Sequence, residues 1–299
     1  MTFAQRLAGL VAARESQIVL GLDPDPARLW PEALEQDLPG DPPAQRAAAA
    51  VKAHCIALVD AAGPACVAVK PQLACFERLG APGWEALAAT VDHARAAGLL
   101  VIADAKRGDI DVSAAAYAQA LVGSTPTPFG EVTGLRADAF TANPLLGVDT
   151  LEPLVEGARA AGAGIFVLVR TSNPGAADVE DLELRGGEVV WERLAQIVDG
   201  LAGPGTDLSD IGAVVGATRP EHVARMRELM PRAPFLLPGI GAQGGRVEDL
   251  APAFEIGRAG GLVSASRSIA RAHERAGAAP RDAARAEAER MRETAWSLA

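Results

Sequence analysis

The sequence predicts an α/β fold of the (β/α)8 barrel type, formed as a single domain by residues 1–299. Eight short apolar runs alternate with alanine-rich segments of helical period, and polar residues collect at the C-terminal ends of those runs. Parallel strands covered by helices are apolar on both faces, and such barrels usually have about 250 residues. A doubly wound open sheet is the alternative, because alternation alone does not show that the sheet closes.

The strands are predicted at the apolar runs, and the helices between them. The runs span residues 17–23, 66–72, 99–106, 137–144, 164–172, 211–218, 235–241 and 260–267. The intervening helices are predicted at residues 43–62, 83–97, 113–121, 148–161, 189–201, 220–229 and 246–254, with terminal helices at 1–14 and 281–298. The extra length falls in predicted loops at residues 24–43, 123–136 and 173–188.

Composition and charge exclude several classes of protein. A hydrophobic content of 49% is ample for a core, and a net charge of −10 argues against a nucleic-acid-binding surface. The three cysteines form no C-x-x-C pair, which indicates reduced thiols in a cytoplasmic protein rather than a metal site or disulfides. The first residues carry charges unlike those of a signal peptide, and no apolar run approaches the roughly 18 residues of a membrane span.

Polar side chains lie at or just past the C-terminal ends of the predicted strands. A single aspartate at such a place is commonly the N-cap of the next helix. A whole group of polar residues at the catalytic face of a barrel favours a functional site. The group consists of Asp23, Lys70, Asp104, Lys106, Asn143, Ser172, Gln243 and Arg267.

The stretch VIADAKRGDI ends a predicted strand in alternating charges. Among 28 Lys plus Arg residues the only lysines are Lys52, Lys70 and Lys106, so a lysine here is unusual. Asp104 and Lys106 are two apart and point to the same side of a strand, with Lys70 expected beside them. Alternating charges keep the lysines protonated, which argues against Schiff-base chemistry and suits stabilising and protonating a carbanion. A buried ion-pair network without chemistry is the alternative.

Asp109 lies beyond the end of this strand. Ser113 follows four residues later, so the two are expected to share one helical face. That face points away from its own barrel mouth, so either the loop folds back or the face serves a neighbouring subunit.

The segment PGIGAQGG matches the dinucleotide fingerprint G-x-G-x-x-G at Gly239, Gly241 and Gly244. The match follows the seventh strand instead of the first, and no acidic residue at a strand end follows at the distance a ribose requires. In barrels the loops after strands seven and eight often hold a phosphate. We therefore expect Gln243 and Arg267 to bind phosphate, with Arg267 at a helix start.

In these motifs the chain resembles the orotidine 5′-phosphate decarboxylases in their longer bacterial form. The motif D-x-K-x-x-D-I is matched by Asp104, Lys106, Asp109 and Ile110. The resemblance spans nearly the whole chain. It implies a cofactor-free and metal-free loss of CO₂ that converts orotidine 5′-phosphate to UMP in pyrimidine biosynthesis.

The resemblance also implies a role for each matching residue. Lys106 would stabilise and protonate the carbanion at C6 of the base, and Asp104 would lie near the leaving carboxylate. Asp109 and Ser113 would come from the partner subunit, so a homodimer with shared active sites is implied. The remaining matches are Lys70 in the charge array, Asp23 near the ribose, Ser172 at the pyrimidine amide edge, and Gln243, Ser266 and Arg267 at the phosphate. Ser113 replaces a common threonine, and Ser266 replaces a common glycine.

Two other functions remain open at this point. Mg²⁺-dependent hexulose-phosphate synthases and keto-gulonate-phosphate decarboxylases share the D-x-K-x-x-D core, but Lys70 and the TSNPG segment at Ser172 argue against them. A barrel that binds a nucleotide without turning it over is the other alternative. No motif position is visibly broken, so the sequence favours an enzyme.

Overall fold

The computed structural model describes residues 1–35, 40–240 and 244–299. Its strands in chain order are β1 (Ile18–Leu22), β2 (Ala68–Pro71), β3 (Leu100–Arg107), β4 (Ser124–Thr127), β5 (Gly130–Thr133), β6 (Ala139–Ala142), β7 (Gly164–Arg170), β8 (Ile211–Val215), β9 (Phe235–Leu237) and β10 (Gly261–Ala265). All except β4 and β5 form one closed barrel, in the order β1, β10, β9, β8, β7, β6, β3, β2. Because β1 pairs in parallel with both β2 and β10, the barrel prediction is confirmed and the open sheet is wrong.

The barrel strands are apolar because both of their faces are buried. Inward side chains such as Val19, Ile102 and Phe166 fill the barrel near its N-terminal end. Their outward neighbours, such as Leu20 and Val101, pack against the surrounding helices. Inward and outward side chains alternate along each strand, but both kinds are apolar. The sequence of each strand is therefore a nearly continuous apolar run without visible alternation.

Helices cover the outside of the barrel, and prolines begin several of them. Pro43, Pro220 and Pro280 stand at first helical positions, where the missing N–H costs nothing. None of the described helices combines the length and apolar character needed to cross a membrane. The α-helices are α1 (Phe3–Arg14), α2 (Pro31–Leu34), α3 (Pro43–Ala62), α4 (Leu73–Glu77), α5 (Ala81–Ala96), α6 (Asp111–Leu121), α7 (Val148–Ala160), α8 (Val190–Ala202), α9 (Pro220–Leu229), α10 (Arg267–Ala270), α11 (His273–Ala276) and α12 (Pro280–Leu298).

Helix α1 closes the N-terminal end of the barrel. A reciprocal capping box between Thr2 and Gln5 begins the helix. The Phe3 ring then packs edge-on against Phe166, with ring centroids 5.9 Å apart. Gly164 makes room for it, because a Cβ there would lie 2.3 Å from the Phe3 ring. The polar residues lie at the opposite, C-terminal end of the barrel.

Several segments differ from the predicted elements, among them the predicted loop 24–43, which contains the short helix α2. Residues 246–254 were expected to form an α-helix, but Val247–Phe254 is a 3₁₀ helix. Pro252 lies inside it, and proline lacks the N–H of an α-helical turn and clashes with the preceding turn. The predicted loop 123–136 contains the antiparallel hairpin of β4 and β5.

Candidate active site

Lys70, Asp104 and Lys106 meet at the C-terminal end of the barrel, as predicted. Strands β2 and β3 are parallel neighbours, and a further bridge joins Gln72 to Asp104 above their regular pairing. The Lys70 Nζ atom lies 2.5 Å from Oδ2 of Asp104. The Lys106 Nζ atom lies 2.5 Å from Oδ1 of the same carboxylate. Each carboxylate oxygen therefore holds one ammonium group.

Two further residues, which the sequence did not single out, complete the environment of Asp104. Gln72 donates from Nε2 to Oδ2 over 3.2 Å, and Thr141 donates from Oγ1 to Oδ1 over 3.0 Å. Both could have been recognised in part. Gln72 follows Lys70 by two residues, and Thr141 is the polar residue within the otherwise apolar strand β6. Asp104 thus accepts two hydrogen bonds on each oxygen.

The charges of the array stabilise one another. Burial alone would raise the pKa of Asp104, but the nearby Lys70 and Lys106 hold it well below its usual range. Burial would likewise lower the pKa of Lys70, yet Asp104 and Asp23 raise it above the ordinary lysine value. Asp104 is therefore ionised and Lys70 protonated at neutral pH. This agrees with the expectation that alternating charges keep Lys70 protonated, which argues against Schiff-base chemistry at that residue.

The two lysines differ in their access to the barrel mouth. The Lys70 side chain is 9% exposed, whereas the Lys106 side chain is 43% exposed. Lys106 stands where β3 becomes irregular, with a register shift between Ala103 and Arg107. Its φ is +48°, a left-handed conformation that non-glycine residues rarely adopt. Of the two ammonium groups, only that of Lys106 is in a position to reach a molecule in the mouth.

Asp109 and Ser113 do not join this array within their own chain. The Asp109 carboxylate accepts the N–H of Ile110 at 2.8 Å, and within the described ranges it forms no ion pair with Lys70 or Lys106. The expected shared helical face is wrong, because α6 begins only at Asp111 and Ile110 is extended. Ser113 lies in the first turn of α6 and is exposed.

The phosphate-binding candidates line the rim on the other side of β1. Asp23, Ser266 and Arg267 border one cavity of about 30 Å³ between the ends of β1 and β10. Arg267 is exposed and, within the part of the chain that the structure describes, forms no ion pair. An exposed arginine at the barrel rim is available for an anionic group. Gln243 was also predicted for this site and lies outside the described residues.

Ser172 follows β7 and borders a separate cleft of about 530 Å³ with Asn173, Thr218 and Arg219. Its backbone packs closely on the chain after β8, where a Cβ on Gly216 would lie 3.0 Å from the Ser172 Cα atom. Glycine at that position is therefore required by the close approach.

The loop that follows Ser172 is held by a buried arginine at the end of β7. Arg170 donates from Nε and Nη2 to the two carboxylate oxygens of Asp181, at 2.8 and 2.9 Å. Glu180 accepts the backbone N–H of Thr171 at 2.8 Å. These contacts fold the loop back over its own strand and fix the start of the segment that contains Ser172.

Residues 1–35, 40–240 and 244–299 contain no group of three or more His, Cys, Asp or Glu side chains that could hold a metal ion.

Comparison with known proteins identifies the family. The sequence pattern of the orotidine 5′-phosphate decarboxylase / HUMPS family matches residues 16–281. Orotidine 5′-phosphate decarboxylase of Rhodopirellula baltica is 41% identical over 281 residues, which cover 92% of this chain and 90% of that protein. The Deinococcus radiodurans enzyme of the same name is 43% identical, over 90% of this chain and 89% of that protein. The structure of Leishmania donovani OMP decarboxylase superposes with a TM-score of 0.74 at 32% identity, covering 99% of both chains. The chain therefore belongs to the orotidine 5′-phosphate decarboxylase / HUMPS family.

Proposed function

We propose that this protein removes CO₂ from orotidine 5′-phosphate to give UMP, a step of de novo pyrimidine biosynthesis, without a cofactor or metal ion. The relatives named above carry that activity in their names, at about 40% identity over most of both chains. The observation that carries the proposal for these residues is the array of two lysines on the Asp104 carboxylate. It places a fixed cation beside a fixed anion at the mouth of the barrel.

The array suits a reaction that forms a carbanion. The substrate carboxylate would lie beside Asp104, whose negative charge opposes it in the ground state. When the bond between C6 and the carboxyl carbon breaks, CO₂ leaves and the electron pair remains on C6. The Lys106 ammonium stabilises that pair and then transfers a proton to C6, which gives UMP and a neutral amine. Because Lys106 is open to the mouth, solvent returns the proton.

Lys70 has a different task in this proposal. It is buried, and it binds the Asp104 oxygen that Lys106 leaves free. It therefore holds the carboxylate in place and balances its charge without reaching the substrate. The cost of burying Asp104 is offset by four hydrogen-bond donors, two on each oxygen.

Remote groups of the substrate would bind around the rim. Arg267, Gln243 and Ser266 would bind the phosphate, Asp23 the ribose, and Ser172 the amide edge of the pyrimidine. The support for Asp23, Ser172, Ser266 and Arg267 is their position just past the C-terminal ends of β1, β7 and β10, which is also the end of the barrel that carries the charge array. Gln243 is proposed from the sequence alone. Binding energy from the phosphate would favour closure of the loops over the base.

We further propose a homodimer in which Asp109 and Ser113 complete the partner's site. Both residues lie outside their own charge array. Near them lie large apolar side chains that are more than half exposed, at the start of α6 and on the loop after β6: Ile110, Val112, Leu145 and Leu146, at 57%, 82%, 76% and 55%. A cluster of exposed apolar residues beside polar ones is typical of an interaction surface.

A single cytoplasmic domain is also proposed for residues 1–299. The support for one domain is the packing of both terminal helices, α1 under the barrel and α12 against α3. The support for the location is the state of the thiols. Cys55, Cys66 and Cys75 are free, and burial raises the pKa of Cys66 to about 12.

A spectrophotometric assay with orotidine 5′-phosphate, with and without a chelator, tests the proposal. We expect release of CO₂ at equal rates in both conditions. Loss of activity that Mg²⁺ restores would instead place the chain with the synthases of the family. Binding of UMP without any turnover of orotidine 5′-phosphate would indicate a nucleotide-binding barrel.

A further inference from the structure

Thr141 is a buried residue that contacts two members of the charge array. It lies on β6, the neighbour of β3 in the barrel, and is 1% exposed. Its Oγ1 atom is 2.9 Å from the backbone nitrogen of Lys106 and 3.0 Å from Oδ1 of Asp104. A single hydroxyl group therefore joins the backbone of one charged residue to the side chain of another.

The chemistry of the two partners fixes the direction of both hydrogen bonds. The backbone N–H of Lys106 is a donor, so the Thr141 oxygen accepts there. An ionised carboxylate only accepts, so the one proton of the hydroxyl is directed at Asp104. The hydroxyl thus has one defined orientation, set by the charge on Asp104.

These contacts close a ring through Lys106. The ring runs from the Lys106 backbone nitrogen to Thr141, from Thr141 to Oδ1 of Asp104, and over 2.5 Å from Oδ1 to the Lys106 Nζ atom. Lys106 is consequently held at its backbone and at the end of its side chain by the same two neighbours. Strand pairing contributes little at this point, because the register of β3 against β6 is irregular between Ala103 and Arg107.

The backbone conformation of Lys106 explains why these hydrogen bonds are needed to fix its position. Its φ of +48° is unfavourable for a residue with a side chain, and such conformations persist only where the surroundings impose them. The Lys106 side chain is also 43% exposed, so packing restrains it weakly. Without the hydroxyl, the backbone N–H would lose its acceptor and Asp104 would lose a donor.

We propose that Thr141 is a positioning residue for decarboxylation, which places the Lys106 ammonium by fixing both the Lys106 backbone and the Asp104 carboxylate. The inference rests on the proposed function through the role of Lys106. A displacement of about 1 Å in a reacting group costs on the order of 10²-fold in rate. We expect loss of the Thr141 hydroxyl to lower kcat and to leave KM nearly unchanged, because Thr141 does not reach the phosphate-binding rim.

The test compares Thr141→Val, which keeps the shape and removes the hydroxyl, with Thr141→Ser, which keeps the hydroxyl. Thr90→Val is the matched control, because Thr90 is also 1% exposed and its hydroxyl donates over 2.7 Å to Ala86 in α5. We expect Thr141→Val to lower kcat by about 10²-fold and to leave KM within about threefold. Thr141→Ser and Thr90→Val should keep kcat near wild type. Thermal unfolding of all three variants reports any common loss of stability.

The outcomes separate this inference from the proposed function. If Lys106→Ala keeps the wild-type kcat, the proposed role of Lys106 fails whatever the threonine variants do. If Lys106→Ala is inactive and Thr141→Val matches Thr90→Val in kcat, the positioning role is overturned. A serine variant as slow as the valine variant also overturns it. Should Thr141→Val not fold, Thr141→Cys replaces it, with a weak donor and an expected intermediate kcat; a wild-type kcat would contradict the inference.

Discussion

At the scale of single residues, burial gives chemically identical groups different tasks. Lys70 and Lys106 contact the same carboxylate at the same distance of 2.5 Å, yet only Lys106 is open to the barrel mouth. Asp104 is the centre of the arrangement, because each of its oxygens accepts from one lysine and one neutral group. Removing the carboxylate should therefore affect stability as well as activity.

Asp104→Asn should destabilise the protein by about 3–5 kcal/mol, because it leaves Lys70 buried without its partner charge. The folded-state pKa of Asp104 is lowered and that of Lys70 is raised. The stabilisation is therefore complete between about pH 4 and pH 10, the ordinary values of the two groups. It is lost as the pH falls through the folded pKa of Asp104 or rises through that of Lys70. Denaturant unfolding of wild type and variant at neutral pH measures the difference.

The matched control is Asp92→Asn, because Asp92 forms an exposed ion pair with Arg136. Exposed pairs contribute about 0–1 kcal/mol. Equal destabilisation by the two variants would mean that the Asp104 array contributes no more than a surface ion pair.

Arg267→Ala tests the phosphate site. It should weaken transition-state binding of orotidine 5′-phosphate by about 2–5 kcal/mol, as expected when one partner of a charge-assisted contact is removed. A substrate without the phosphate should be almost unaffected by the same change. The measurement is kcat/KM of the wild type and of the variant with both substrates. An equal loss of kcat/KM with both substrates would show that Arg267 has a structural role.

The residues of the site were predicted from the sequence to different degrees. Lys70, Asp104 and Lys106 could be identified because charge at the end of an apolar strand is unusual. Thr141 and Gln72 could be noticed only as polar residues in or after apolar strands, because their contacts with Asp104 depend on the relative register of three strands, which the sequence does not reveal. Asp109 and Ser113 were placed on one helical face because the extended residue between them, Ile110, could not be foreseen.

At the scale of elements, the barrel strands were predicted well because burial on both faces produces long apolar runs. Seven of the eight predicted runs contain a whole barrel strand, and β3 extends one residue beyond the remaining run, to Arg107. The hairpin of β4 and β5 was missed for the opposite reason, since its strands are short and largely exposed and show no apolar periodicity. The 3₁₀ helix Val247–Phe254 has an apolar face like an α-helix, and only Pro252 marks the difference.

The segment after β1 is tied to two helices by Trp30. Its backbone N–H donates to Nδ1 of His54 in α3 over 3.1 Å, and its indole N–H donates to the Ala270 carbonyl over 2.9 Å. Burial lowers the pKa of His54 to about 4, against the opposing effect of Glu32. The neutral ring is therefore part of the folded structure.

This arrangement predicts a loss of stability in mild acid. Because the unfolded chain binds a proton near pH 6.5 and the folded chain only near pH 4, stability is full above pH 6.5 and declines below it. The decline attributable to His54 should reach about 3 kcal/mol by pH 4. His54→Asn, whose amide oxygen replaces the Nδ1 acceptor, should remove it. Unfolding free energies of both proteins across this range provide the check, and parallel curves would contradict the prediction.

In the whole molecule, the residues that stabilise the barrel and the residues proposed for catalysis lie at opposite ends. Helix α1 and the apolar inner layer occupy the N-terminal end, and the charge array occupies the C-terminal end. The sequence predicted this division, because polar residues follow the apolar runs. The sequence also predicted that Asp109 lies outside the active site of its own chain. The proposed homodimer gives Asp109 a role, because the exposed apolar residues Ile110 and Val112 lie on either side of the start of α6.

Subunit mixing of Lys106→Ala with Asp109→Ala tests whether the charge array is shared between two subunits. Each variant alone should be inactive, with Lys106→Ala losing on the order of 10⁴-fold or more in rate. In a mixed dimer, one site carries both changes and the other carries neither. Activity should therefore return to at most about one quarter of wild type, because random pairing makes half of the dimers mixed and each has one intact site. If subunit exchange is demonstrated and no activity returns, Asp109 acts within its own chain and the shared site is wrong.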